Sequence, residues 1–145
     1  MAKLKILFVC TGNSCRSQMA EGWARALRGE LIEPYSAGTE PYKLDPMAVA
    51  AMREVGVDIS HYRPKHVNEV AGVGFDYVVT VCDWARRSCP TFPGATKVEH
   101  VNFDDPPALV RDAARNLQEA VTIYRRVRDQ IRAFIQTLPG ALTQR

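Results

Sequence analysis

Short β-branched, apolar runs alternate along this chain with longer stretches of helical periodicity, and that alternation leaves few folds open. Lys3–Val9 passes from alternating to continuously apolar and predicts a buried strand. Arg16–Leu27 sets Met19, Ala20, Trp23, Ala24 and Leu27 on one stripe and predicts a helix closed by Gly29 as its C-terminal cap. Ile32–Ala37 predicts a second strand. Asp45-Pro46 opens a helix running through Val55, with the acid as cap, proline in the first turn and Gly56 as the stop. Phe75–Val81 (FDYVVTV) is β-branched and aromatic and predicts a third strand, and Lys97–Phe103 a fourth. From Val110 to Leu138 the apolar spacing predicts one long helix, stopped by Pro139-Gly140. Strands alternating with helices build βαβ units, hence an α/β fold with a parallel sheet covered on both faces. At 145 residues the chain fits one domain, 1–145, with one core.

In such sheets ligands bind beyond the carboxyl ends of the strands. Cys10 ends the first predicted strand, Cys82 the third and Asp104-Asp105 the fourth, so three chemically loaded sites fall on one edge. The net charge of +3 is too small to argue for nucleic acid, and the basic residues of 111–132 are interrupted by acids, as on a solvated helix face. No apolar run approaches the ~20 residues of a membrane helix, and Leu4–Val9 is too short for a signal-peptide core, so a cytoplasmic protein is expected. The cysteines at 10, 15, 82 and 89 match no common zinc spacing, and His61, His66 and His100 form no ligand pattern; no bound metal is expected. In a reducing compartment structural disulfides are rare, so the four thiols are either inert or redox-active.

The run Cys10-Thr11-Gly12-Asn13-Ser14-Cys15-Arg16-Ser17 lies between a strand and a helix. Its small residues let backbone N–H groups turn inward as an anion nest, and the helix start adds its positive end. Arg16 can grip two oxygens of a tetrahedral oxyanion with its fork. The same positive field is expected to lower the pKa of Cys10, the nucleophile, while Ser17 offers its thiolate a hydroxyl hydrogen bond. Asn13 suits a left-handed backbone position in the loop.

The segment CTGNSCRSQMAEGW resembles the active-site loop and first helix of the thioredoxin-coupled arsenate reductases built on the low-molecular-weight tyrosine phosphatase fold. YSAG (Tyr35–Gly38), TVCD (Thr80–Asp83), Cys89, FDDP (Phe103–Pro106) and RRVRDQI (Arg125–Ile131) continue the likeness in order, with Ala108–Ile123 matching less well. The resemblance implies a three-layer αβα fold with a four-stranded parallel sheet, and a monomer. It implies that Cys10 forms the adduct with arsenate, that phosphate and sulfate compete, and that Asp105 is the general acid, with Asp104 its rival. It also implies a relay: Cys82 attacks Cys10, arsenite leaves, Cys89 attacks Cys82, and thioredoxin reduces the Cys82–Cys89 bond. No tightly bound cofactor is implied. Cys15 receives no obligatory role, and Trp84 is either a packing residue or part of a thioredoxin contact. Some members bind potassium beside the loop through residues matching Asn13, Glu21, Ser36 and an acid. Here that last position falls in Arg63-Pro64-Lys65, and Lys65 can place its ammonium where the ion would sit, which counts against a potassium site.

Chemistry separates the rival functions. A phosphatase needs one thiolate and water, whereas a reductase must deliver two electrons and needs a second thiol. Sulfur-bound arsenic(V) accepts those electrons when another thiolate attacks the sulfur; phosphorus does not. Cys82 and Cys89 therefore weigh against a tyrosine-type phosphatase of the same fold, as does Pro107-Ala108 in place of an aromatic pair after Asp105-Pro106, while a weak phosphatase side activity is compatible with a reductase. A reductase that hands its adduct to a small thiol would not need both distal cysteines, and an anion sensor would bind without Cys10.

Overall fold

The computed structural model describes residues 2–88, 92 and 97–143. Four strands, β1 (Leu4–Cys10), β2 (Ile32–Gly38), β3 (Tyr77–Thr80) and β4 (Lys97–His100), form one sheet in the order β2-β1-β3-β4. Every neighbouring pair is parallel. Ile6–Cys10 and Tyr77–Thr80 are buried at every consecutive position, so β1 and β3 are covered on both faces, as expected of strands that read as continuous apolar runs. β4, at the edge, is more open.

The connections are α1 (Arg16–Arg28), α2 (Pro46–Arg53), α3 (Asp83–Ser88), α4 (Pro106–Ala113), α5 (Leu117–Gln136) and the short α6 (Gly140–Thr143). A 3₁₀ turn at Val67–Val70 has no counterpart in the sequence reading. Helix α1 packs on β1, β2 and α5, and α5 also carries α2 and α4. Asp45 caps α2 through its carboxylate, which accepts from the Met47 N–H at 2.9 Å, and Gly56 closes that region with φ of 80°.

Two expectations need correction. The single helix from Val110 to Leu138 is two, α4 and α5, broken at Ala114, which is extended (φ −76°, ψ 129°). Asn116 caps α5 by accepting from the Glu119 N–H at 2.9 Å, while Glu119 accepts from the Arg115 N–H at 3.0 Å. This Asn-x-x-Glu start signal overrides an apolar face that runs across the break. Gly29 is the C-cap of α1 as expected, with right-handed helical angles (φ −61°, ψ −18°). The third and fourth strands, Tyr77–Thr80 and Lys97–His100, are shorter than their apolar runs, although the N–H groups of Val81 and Val101 still donate to the Val9 and Thr80 carbonyls.

β1 continues into β2 on one side and, after a crossover, neighbours β3 on the other, so the strand order reverses between β1 and β3. This switch point is where an open α/β sheet leaves a crevice. Cys10 ends one of its strands and Cys82 follows the other.

Candidate active site

The loop after β1 is shaped by its carbonyls. The C=O groups of Cys10, Thr11, Gly12 and Ser14 accept from the N–H groups of Thr39 (3.2 Å), Glu40 (2.8 Å), Tyr42 (2.8 Å) and Asp45 (2.9 Å). Segment 39–45 thus runs alongside the loop beyond the end of β2. In a planar trans peptide C=O and N–H point opposite ways. Tying these carbonyls outward therefore turns the following N–H groups inward, as an anion nest requires. Gly38 permits the approach: a Cβ there would lie 2.5 Å from the Thr11 carbonyl oxygen.

Asn13 is fully buried with φ of 49°, the left-handed position expected of it. Its Oδ1 accepts from the Lys65 N–H (3.0 Å) and from Gln18 Nε2 (3.2 Å), which fixes its Nδ2 toward Ser17 Oγ at 2.8 Å. The Ser17 hydroxyl oxygen is thereby an acceptor, and its one hydrogen is directed to Cys10 Sγ, 2.8 Å away. The Asn13 N–H also points at Cys10 Sγ, at 3.2 Å. Two donors converging on one sulfur describe a thiolate seat.

The expected lowering of the Cys10 pKa is not what results. Burial pushes the Cys10 thiol above the usual cysteine range; the Ser17 hydrogen bonds and the Arg16 charge pull it down, and Cys82 adds a smaller upward push. Desolvation outweighs the positive field because the sulfur is almost wholly enclosed. Cys15, also buried, is raised well above the usual range by burial and then by Asp45.

Arg16 lies at the start of α1 with Nη1 donating to the Phe103 carbonyl (3.0 Å) and Nη2 at 3.8 Å from Asp105 Oδ1. Asp105 occupies the cap position of α4, but its carboxylate caps no helical N–H; it faces Arg16 instead. Asp104 turns away to pair with Arg126 at 3.2 Å. Geometry therefore brings Cys10, Arg16 and Asp105 together and leaves Asp104 out.

Cys82 is buried and lies across the switch point. Its sulfur is 3.4 Å from the Thr11 hydroxyl and accepts from the Ala85 N–H at 3.4 Å, capping α3. Cys89 lies outside the described residues. Trp84 is about half exposed and stacks under Arg87, so it is no core packing residue.

Beside the loop, Glu21 is engaged by Arg25 Nη1 (2.8 Å) and by the Ser36 hydroxyl (2.6 Å). Lys65 holds Asn13 through its backbone and directs its ammonium to the Arg63 carbonyl at 3.3 Å. Arg25 is the cation paired with Glu21, and in the sequence it reads as an ordinary helix-face residue. Among the described residues, no group of three or more His, Cys, Asp or Glu side chains is arranged around a metal site. No described helix is long and apolar enough to cross a membrane.

Cys10, Arg16 and Asp105 open into a cavity of about 640 Å³. Tyr42, Lys43, Arg111 and Tyr124 complete its walls, and sequence reasoning named none of them as site residues. They come from three separate segments, and only the Asp45 cap and the α4 start hinted that these segments approach the loop.

Comparison with known proteins agrees with this architecture. The family described as low molecular weight phosphotyrosine protein phosphatase matches residues 5–145. Arsenate reductase 1 of Staphylococcus epidermidis is 44% identical over 137 residues, 94% of this chain and 96% of that protein. A solved arsenate reductase in its oxidized state superposes with a TM-score of 0.76 at 30% identity, covering 92% of this chain and 95% of that one. An arsenate reductase in the phosphate binding state gives a TM-score of 0.71 at 30% identity, over 93% and 95% of the two chains. Matched over nearly its whole length, the chain belongs to the low molecular weight phosphotyrosine protein phosphatase family, where its relatives include bacterial arsenate reductases.

Proposed function

We propose that this protein reduces arsenate to arsenite through Cys10, Cys82 and Cys89, with thioredoxin as the electron donor. The observation that carries the reading is a second thiol at the switch point: Cys82, 3.4 Å from the Thr11 hydroxyl of the nucleophile's own loop. Phosphoryl transfer has no use for a thiol there.

Arsenate sits in the Thr11–Ser17 loop, its oxygens on inward N–H groups and the Arg16 fork. The Cys10 thiolate attacks arsenic(V). Asp105 donates a proton to the departing oxygen, which leaves as water, and a Cys10–arsenic bond remains. The Cys82 thiolate then attacks Cys10 Sγ. A Cys10–Cys82 bond forms, the S–As pair stays on arsenic, and arsenic(III) leaves as arsenite. The Cys89 thiolate attacks Cys82, freeing Cys10, and a thioredoxin dithiol takes over the Cys82–Cys89 bond by exchange. Thiols kept reduced for this cycle suit the cytoplasm.

The family also supports a second reading, phosphomonoester hydrolysis on the same loop and acid, as a weak side activity. The deciding experiment measures arsenite from purified protein with thioredoxin, thioredoxin reductase and NADPH, against glutathione in place of thioredoxin. Thioredoxin-dependent arsenite supports the relay. Phosphatase turnover without arsenite assigns the protein to hydrolysis.

A further inference from the structure

We propose that Tyr124 is a positioning residue for oxyanion capture, acting through Asp45 on segment 39–45; the proposal rests on the reading of Thr11–Ser17 as the anion loop. Tyr124 projects from α5, is only 4% exposed, and donates its hydroxyl to Asp45 Oδ2 at 2.5 Å. The other Asp45 oxygen caps α2 at Met47, and the Asp45 N–H holds the Ser14 carbonyl at 2.9 Å. One residue thus joins α5, α2 and the anion loop.

Segment 39–45 is what keeps the loop carbonyls turned outward, yet it is thinly anchored. Among the described residues, the side chains of residues 39–44 make no hydrogen bond, and Tyr42 is 73% exposed. The tie between Asp45 and Tyr124 is therefore its side-chain anchor to α5, beside the Asp45 cap on α2. Loosening it lets the carbonyls of Gly12 and Ser14 drift, and the loop N–H groups that follow them lose aim at the anion. Burial and the Asp45 charge push the Tyr124 phenol far above its ordinary range, so it stays a donor at any working pH. The hydroxyl touches Asp45 and not the reacting atoms, so its effect falls on ground-state grip.

Inorganic phosphate is the probe, measured by isothermal titration calorimetry on the full chain beside arsenate kinetics. Tyr124→Phe is expected to weaken phosphate binding and raise KM for arsenate by about tenfold, the low end for losing a hydrogen bond to a charged group. The change in kcat is expected to stay within about twofold, since an interaction made equally in ground and transition states moves KM alone. Amide exchange at Tyr42 and Asp45 quickens while β1 and β3 stay protected. Asp45→Asn gives the same weakening, and adding Tyr124→Phe to it adds little, the non-additivity of two halves of one contact. Asp45→Asn also carries the test should Tyr124→Phe fail to fold. Parent-like phosphate affinity in both single variants overturns the proposal, as does weakening that is fully additive. A parent that binds no phosphate overturns the anion-loop reading and this proposal with it.

Discussion

Replacing Ser17 with alanine tests the thiolate seat most directly. Asn13 Nδ2 is committed to Ser17 Oγ, so the Ser17 hydroxyl hydrogen goes to Cys10 Sγ. Ser17→Ala removes one of two convergent donors and leaves a buried amide N–H without its acceptor. A hydrogen bond to a charged group contributes about 1.5–3 kcal/mol, so losing it from the thiolate alone raises the Cys10 pKa by about one to two pH units. Since burial already holds that pKa above the usual range, the shift adds to an existing penalty at neutral pH. Alkylation by iodoacetamide across a pH series, followed on the Cys10 peptide by mass spectrometry, reads the thiolate directly and separates it from the other cysteines. An unchanged or lowered midpoint in Ser17→Ala would refute the assigned proton direction, because it would mean that the Ser17 hydrogen points elsewhere.

The remaining predictions concern the grip, the relay, the cation and alkaline stability. Arg16→Lys lowers kcat/KM for arsenate by on the order of 100-fold, near what one oxyanion donor supplies; a loss of only a few-fold in steady-state assays contradicts a bidentate role. Cys89→Ser releases about one arsenite per enzyme and stops with Cys10 and Cys82 joined; continuous thioredoxin-driven turnover rules out the relay. Potassium leaves the melting temperature unchanged against a bulky organic cation at equal ionic strength, because Arg25 already engages Glu21; a specific gain of several degrees indicates a bound ion. Stability falls as pH rises above the unfolded-thiol pKa, roughly 8.5. Folded Cys10 and Cys15 hold their protons where the unfolded chain releases them, so the unfolded state binds fewer protons there and unfolding gains. Urea denaturation from pH 8 to 10.5 checks this, and Cys15→Ala flattens the decline.

What was legible in the sequence was whatever a local pattern encodes. β1, α1, α2 and the loop between Cys10 and Arg16 follow from apolar runs, caps and small residues, and the structure places them as read. The split of α4 from α5 was also encoded, in Asn116 and Glu119, but the apolar face continuing across Ala114 masked it. The preference for Asp105 over Asp104 came from the motif alone, and its physical ground, Arg126 reaching back from α5 to Asp104, shows only in three dimensions. The pairing of Arg25 with Glu21 was not legible, because Arg25 reads as one more arginine on a helix face. The Cys10 pKa direction was lost for a related reason: motif logic counts nearby charge, whereas the depth of the sulfur, which decides the outcome, is a property of the packed chain.

The strand reversal between β1 and β3 sets a second seat next to the nucleophile's. Adjacent strands stand about 4.8 Å apart, and no loop length changes that spacing. A thiol at position 82 therefore inherits reach toward Cys10 from the sheet itself. The side chain at position 82 therefore faces the nucleophile's loop whatever residue stands there, and a replacement at that one position changes the chemistry within reach of Cys10 while the backbone stays in place.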